Sequence, residues 1–324
     1  MTDKQNRNID YLRISVTDRC NLRCVYCMPA EGVEPVAHSD ILTFEEILRI
    51  CKSAAVLGIR KIKLTGGEPL VRKGVVGLVR NIKSIDGIEQ VTMTTNGILL
   101  GGMADELKAA GLDAVNISLD TLDSVQFGKM TRREGLEQVL AAIDHSLELG
   151  MHVKINCVPI KELGEEQIVS MASLAKDRPL DVRFIELMPI GLGSAFTGVS
   201  TEEIKRVLAR TYGELIPYNG VCGNGPASYL SIAGFAGKIG FISAISDRFC
   251  ANCNRIRLTA TGFLKLCLHY DQGIDLRGLL RSGVTDEELT RVIEQGIHDK
   301  PLRHHFGESA VAHEETHKMV QIGG

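Results

Sequence analysis

Cys20, Cys24 and Cys27 stand in the spacing C-x3-C-x2-C, inside Asp18-Arg19-Cys20-Asn21-Leu22-Arg23-Cys24-Val25-Tyr26-Cys27. Three thiolates this close can wrap one face of an iron–sulfur cluster. A 4Fe–4S cube has four irons, so three cysteines leave one iron open to a ligand. A structural zinc ion usually closes four ligands around itself. No fourth cysteine lies nearby, and His38 is the nearest histidine. A zinc knuckle is the alternative. Cys250, Cys253 and Cys267 form a second triplet, C-x2-C-x13-C, again without a fourth member. The same reasoning suggests a second cluster with an exposed iron. Its alternative is a zinc ribbon completed by His269 or Cys222. Of the other three cysteines, Cys51 and Cys157 read as packing residues, on a helix and in an apolar strand. Cys222 lies in a glycine-rich stretch and takes no assignment.

These thiols need elements to place them. Expected strands are Tyr11–Ser15, Lys61–Thr65, Gln90–Thr94, Ala114–Leu119, His152–Val158 and Asp181–Leu187. Expected helices lie between them, near 43–57, 74–84, 102–110, 134–149 and 164–176. Thr43 with Glu46 reads as a capping box, and Ser200 with Glu203 opens a further helix the same way. Strand–helix alternation at ~25–35 residues per unit implies parallel strands with helical crossovers. Six units fit before about residue 210, whereas a full eight-unit barrel takes ~250 residues. The expected fold is therefore α/β: a partial, six-unit TIM-type β/α barrel over 1–212. An α+β extension over 213–324 would carry the second cysteine site. Ligands should gather at the carboxyl ends of the strands. Residues 217–240 are rich in Gly, Pro, Asn and Ser and read as loop. Arg255–Leu268 reads as a hairpin turning at Thr261-Gly262, with Cys253 and Cys267 at its open end.

The chain has 324 residues, with 37 Lys plus Arg against 40 Asp plus Glu, a net charge of −3. That balance argues against a nucleic-acid protein held by a broad basic field. Apolar residues at 44% argue against global disorder. No apolar run reaches the ~18 residues a membrane-spanning helix needs, and Met1 to Arg7 lacks the apolar stretch of an export signal. The expected compartment is reducing and cytoplasmic, where cysteines serve as filler, metal ligands or catalytic groups.

The first triplet, with Tyr26 before its third cysteine, resembles the radical S-adenosylmethionine superfamily. Thr65-Gly66-Gly67-Glu68-Pro69 resembles that superfamily's methionine-binding motif. The second triplet, the run Phe249–Arg257 and the terminal Gly323-Gly324 together resemble the GTP 3′,8-cyclase family, from about Asn8 to the end. The resemblance implies two 4Fe–4S clusters, S-adenosylmethionine as cofactor and GTP as substrate. It implies a one-electron reductant such as flavodoxin or ferredoxin, a downstream cyclic pyranopterin monophosphate synthase, and a homodimer. An open iron would chelate S-adenosylmethionine, with Tyr26, Gly66, Gly67, Glu68, Ser118 and Met188 around it. Glycines at 66 and 67 let backbone groups approach a ligand closely.

A triphosphate carries up to four negative charges, so a mildly acidic protein needs a local cluster of cations. Arg13, Lys63, Lys154 and Arg183 fall on four expected strands and could converge on one mouth. Exposed strand faces are the alternative. The family binds GTP with residues matching Arg13, Lys63, Thr94, Lys154 and Arg255, Ile256 and Arg257. Lys63 is a departure, because the family commonly has Arg there, and Lys loses the bidentate fork. Arg255 and Arg257 alternate on one face of a strand and could point between the clusters. They are catalytic candidates together with Gly323 and Gly324, since the family's tail enters its active site. The tail histidines His304, His305, His313 and His317 read as solvated, with metal ligation as the alternative. A radical enzyme acting on a peptide is the alternative activity, and a non-enzymatic metal-binding module the alternative class.

Overall fold

The structure is a computed structural model. It describes residues 1–324 apart from Pro35, Val221, Arg248, 307–314, Thr316 and Gly324. Six strands carry the predicted repeat: β1 (Tyr11–Ser15), β2 (Lys61–Thr65), β3 (Gln90–Thr95), β4 (Ala114–Ser118), β5 (His152–Cys157) and β6 (Asp181–Ile185). Helices α1 (Phe44–Val56), α2 (Val75–Lys83), α3 (Ala104–Ala109), α4 (Ser124–Thr131), α5 (Leu136–Glu148), α6 (Glu165–Asp177) and α7 (Thr201–Tyr212) lie between and after them. Both expected capping boxes form, Thr43 with Glu46 on α1 and Ser200 with Glu203 on α7. Helix α4 was not expected; it is short and weakly amphipathic, with Gly128 inside it.

The fold class is the expected one, and the C-terminal extension is woven into the same sheet. It adds β7 (Leu215–Tyr218), β8 (Ser228–Ile232), β9 (Ile239–Ile242), β10 (Arg255–Leu258), β11 (Phe263–Lys265) and β12 (Gly273–Asp275). All twelve strands form one sheet in the order β12-β11-β10-β1-β2-β3-β4-β5-β6-β9-β8-β7. Strand β10 pairs parallel with β1, and β9 parallel with β6, so the parallel run is wider than six. The remaining strands cap both edges as antiparallel hairpins. The predicted turn at Thr261-Gly262 joins β10 to β11.

The stretch 217–240 is thus not simply loop. Its glycines mask strands because they serve close packing. A Cβ on Gly240 would lie 2.8 Å from both Arg183 Cγ and Tyr229 Cε1. Helices α8 (Leu276–Arg281), α9 (Asp286–His298) and α10 (Met319–Ile322) complete the chain. The hydrophobic core lies between the sheet and its helices, built from alternate strand residues such as Leu12, Ile14, Ile62, Leu64, Val153 and Ile155. The other face of the same strands is polar. No helix among the described residues is long and apolar enough to cross a membrane.

Candidate active site

Strand alternation sends every second residue to the inner face, and the register lines those residues up. Arg13 stands beside Lys63 on one side and Arg257 on the other. Thr94 pairs with Asn116, Asn116 with Lys154, and Asn156 with Arg183. These side chains line a cavity of about 480 Å³. Its wall also includes all six triplet cysteines, Arg255, Tyr26, Gly66, Gly67, Glu68, Ser118 and Met188. Ile256 is placed elsewhere: it is buried in the hydrophobic core on the far face of β10. Gly323 packs against Ser15 and Thr65, and its carbonyl accepts a 3.4 Å hydrogen bond from Arg257 Nη1. Gly324 and His313 lie outside the described residues.

The first triplet occupies the loop leaving β1. Cys27 N–H and Met28 N–H donate to the Cys24 carbonyl, making a tight turn. Arg23 Nη1 donates to the carbonyls of Cys20 (2.7 Å) and Leu22 (2.8 Å). Arg132 Nη1, from the end of α4, donates to those of Arg23 and Met28. Leu22 N–H lies 3.4 Å and Asn96 Nδ2 3.7 Å from Cys20 Sγ. Burial raises the Cys24 thiol well above its usual pKa, and Cys27, Asp120 and Cys20 add to the rise. Burial likewise pushes Cys27 up to about 12.

Gly67 explains how the motif after β2 fits here. A Cβ on it would stand 2.2 Å from the Arg19 carbonyl oxygen. Gly67 N–H and Glu68 N–H donate to the carbonyls of Thr17 and Arg19, both at 2.7 Å. The missing side chain is therefore required by the cysteine loop itself. Glu68 is buried and accepts from Thr95 Oγ1, Leu70 N–H and Asn96 N–H. Burial still lifts its pKa to about 7 against those bonds. Tyr26 donates its hydroxyl proton to Asp120 Oδ2 at 2.6 Å. Asp120 sits just beyond β4 and is raised to about 6 by burial.

The second triplet gathers from a 3-10 turn (Phe249–Asn252), the entry to β10 and the exit of β11. Cys253 behaves unlike Cys250, whose thiol burial raises. Burial would raise it, but the charges of Lys300 and Arg255, with hydrogen bonds from Arg255, bring it down to about 7. Cys222, weighed as a fourth ligand, lies instead beside Asp181, Lys154 and Lys238. His269 does line the cavity, buried edge-on against Phe306. His304 is buried and lines the wall too, contrary to the solvated reading. The tail re-enters the protein, so its polarity did not predict exposure.

All nine cysteines are free of disulfides. Among the described residues, no three His, Cys, Asp or Glu side chains close on one point as ligands of a single metal ion do. Each triplet instead presents crowded, half-buried thiols to a shared cavity. That donor set fits iron–sulfur clusters, which take thiolates on separate irons. Positive charge at the sites would offset the burial that raises the thiols of Cys20, Cys24, Cys27 and Cys250.

The cations form a group of their own. Lys63 is depressed well below its usual pKa by burial and then by Arg183, Arg13 and Lys154. Lys154 is lowered to about 8 by burial and by Arg183. Two asparagines hold the group together. Asn156 Oδ1 accepts from Arg183 Nη2, and Asn116, with its amide oxygen turned inward, accepts from Lys63 Nζ and Arg183 Nη2. Each occupies an inward position in the strand alternation. Asp120 carried no such signal.

A partial barrel with a cysteine triplet at its rim and the Gly-Gly-Glu-Pro turn behind it defines a radical S-adenosylmethionine protein. The radical SAM superfamily model matches residues 14–175, and the Molybdenum Cofactor Synthesis C model matches 180–306. The chain belongs to the GTP 3′,8-cyclase family. It is 48% identical over 324 residues to a GTP 3′,8-cyclase of Clostridium perfringens strain 13, covering 100% of both chains. It is 46% identical over 328 residues to one of Pelotomaculum thermopropionicum, again covering 100% of both. Streptococcus suis SuiB, solved bound to precursor peptide SuiA, shares the fold at a TM-score of 0.65 and 16% identity; the match covers 92% of this chain and 67% of SuiB. Membership brings a 4Fe–4S cluster and S-adenosylmethionine, and in this family an additional cluster.

Proposed function

We propose that this chain cyclises GTP to 3′,8-cyclo-7,8-dihydro-GTP, in molybdenum cofactor biosynthesis. When bound, the reduced cluster and S-adenosylmethionine supply a 5′-deoxyadenosyl radical able to take the 3′ hydrogen of GTP. Cys20, Cys24 and Cys27 would hold the first cluster, and Cys250, Cys253 and Cys267 the second. Tyr26, Gly66, Gly67, Glu68, Ser118 and Met188 would seat S-adenosylmethionine. The observation that carries the reading is a buried cluster of cations between the two triplets in one cavity. Arg13, Lys63, Lys154 and Arg183 are buried or nearly so and repel one another. A bound triphosphate would relieve that repulsion. Thr94 adds a hydroxyl beside them. Arg255 and Arg257 reach towards the second triplet and would hold the base and help quench its radical. Ile256 would act through its backbone alone. Gly323 and Gly324 would close the pocket.

On this reading residues 1–212 generate the radical and 213–324 present the substrate. The enzyme would work in the reducing cytoplasm, with a flavodoxin or ferredoxin as reductant. A cyclic pyranopterin monophosphate synthase would take its product, and it would act as a homodimer. The test is anaerobic incubation of reconstituted protein with dithionite, S-adenosylmethionine and GTP. The expected result is 5′-deoxyadenosine together with a cyclised nucleotide. Equal 5′-deoxyadenosine with and without GTP, and no cyclised nucleotide, would remove the substrate assignment.

A further inference from the structure

Arg7 lies near the start of the chain, and the reaction assigns it nothing. Yet its side chain is 4% exposed, and that of its partner Asp3 is fully buried. Asp3 Oδ2 accepts from Arg7 Nε at 2.6 Å. Asp3 Oδ1 accepts from the N–H groups of Gln5 and Arg7, both at 2.9 Å, which folds residues 3–7 into a closed turn. Within its own segment Arg7 Nη2 also donates to Gln5 Oε1 at 3.1 Å, and the guanidinium reaches beyond the segment as well. Nη1 donates to the carbonyls of Cys250 (3.0 Å) and Leu302 (2.9 Å). Nη2 donates to the carbonyl of Pro301 (2.7 Å) and reaches that of Lys300 at 3.4 Å.

Those carbonyls belong to the two walls of the second cysteine site. One is the backbone of a triplet cysteine. The others form the turn after α9 that delivers Lys300 and His304. Lys300 Nζ bonds to the Leu266 carbonyl, next to Cys267, and its charge acts on Cys253 and Cys267. The His304 N–H bonds to the Cys250 sulfur. An arginine suits this place because its planar fork can serve several acceptors at once and stays charged when buried. A lysine offers a compact point charge and cannot span two backbone segments in the same way.

We infer that Arg7, oriented by Asp3, is a positioning residue for the second iron–sulfur site, tying Cys250 to the Lys300–His304 wall so that the triplet and its surrounding donors keep one geometry. The inference rests on the second triplet holding a cluster. It gives the N-terminal segment a role in that site, well away in sequence from the residues that bind the metal.

The test uses the full chain in a Cys20→Ala, Cys24→Ala, Cys27→Ala background, so that only the second triplet can load. Arg7→Lys and Arg7→Gln are added separately and reconstituted anaerobically. Iron and sulfide are counted, and the electron paramagnetic resonance spectrum of the reduced protein is recorded. With Arg7 in place about four irons per chain are expected. Both variants should retain less than half of that iron, with a broadened or shifted spectrum in what remains. Arg7→Lys keeps a charge for Asp3 and so guards against simple misfolding. In the chain with all cysteines, the same variants should keep the iron of the first triplet and its cleavage of S-adenosylmethionine. Unchanged iron and an unchanged spectrum would overturn the inference. So would equal loss from both triplets, which would make Arg7 a general folding residue. A second-triplet protein that holds no iron even with Arg7 would remove the cluster reading, and this inference with it.

Discussion

Lys154 shows what burial does to a binding group. Its pKa is lowered to about 8, first by desolvation and then by Arg183. The folded protein therefore releases this proton before the unfolded chain does. Between about pH 8 and the ordinary lysine value the unfolded chain holds more protons, so Lys154 contributes a gain in stability as pH rises through that window. For an anionic ligand the sign is opposite, because the charged form is lost over the same range. GTP affinity should fall about tenfold between pH 7 and pH 9 if only the ammonium form binds. Lys154→Arg should flatten that fall, since a guanidinium stays charged. Equilibrium binding across the pH range checks both. The cation cluster was legible in the sequence as four strand residues. The asparagines that brace it were not singled out, because asparagine in a strand has no chemistry until its register is known.

At the scale of elements, Glu186 joins pieces that are far apart in sequence. It stands just past β6 and is 4% exposed. Its Oε1 accepts from Thr201 N–H at the start of α7, at 3.0 Å, and from Ser246 Oγ. Its Oε2 accepts from the N–H groups of Ile245 and Ser246, both at 2.9 Å. Burial would raise its pKa, but these donors outweigh it and hold the group below its usual value. The contribution is thus present at neutral pH and lost as pH falls through the carboxylate range. Glu186→Gln should lower the unfolding free energy by about 2–3 kcal/mol at pH 7, the scale of hydrogen bonds to a charged group. It should also make the acid limb of the stability curve shallower. Urea unfolding from pH 4 to pH 7 measures this. The strands and helices joined by Glu186 follow local pattern, and β1 and β2 have the bounds their alternation predicts. Strands β8 and β9 were hidden by glycines whose reason is tertiary, such as Gly240 against Arg183.

Over the whole molecule, the C-terminal tail links the two cysteine sites. His304 N–H bonds to the Cys250 sulfur, and Val320 N–H bonds to that of Cys27. Between them Glu315 forms a buried ion pair with Lys265 on β11. The tail then places Gly323 against Ser15 and Thr65 with φ +73°, a left-handed conformation. An alanine there would carry a cost of about 1–2 kcal/mol, or about a 5- to 30-fold weaker docking equilibrium for the tail. It would also put its Cβ 3.0 Å from that of Ser15. Gly323→Ala should keep full iron content and S-adenosylmethionine cleavage while cyclised product falls at least fivefold. Anaerobic product assays beside an iron count separate these outcomes, and undiminished cyclised product would count against a tail that closes the pocket.

The sequence by itself determined the chemistry available: two triplets of thiols, a glycine-rich turn, and cations at period-two positions in strands. These are local, because cysteine spacing and side-chain alternation act over a few residues. It also determined the α/β class, since crossover length dictates parallel strands. Only the tertiary structure decided that the last third of the chain extends both edges of one sheet, with β10 beside β1 and β9 beside β6. Only it decided that Arg7, Asn116, Asp120, Glu186 and Lys300 support the site. Each acts through a hydrogen bond to a group brought from another part of the fold. Such partners have no fixed separation in sequence, so no spacing could have announced them.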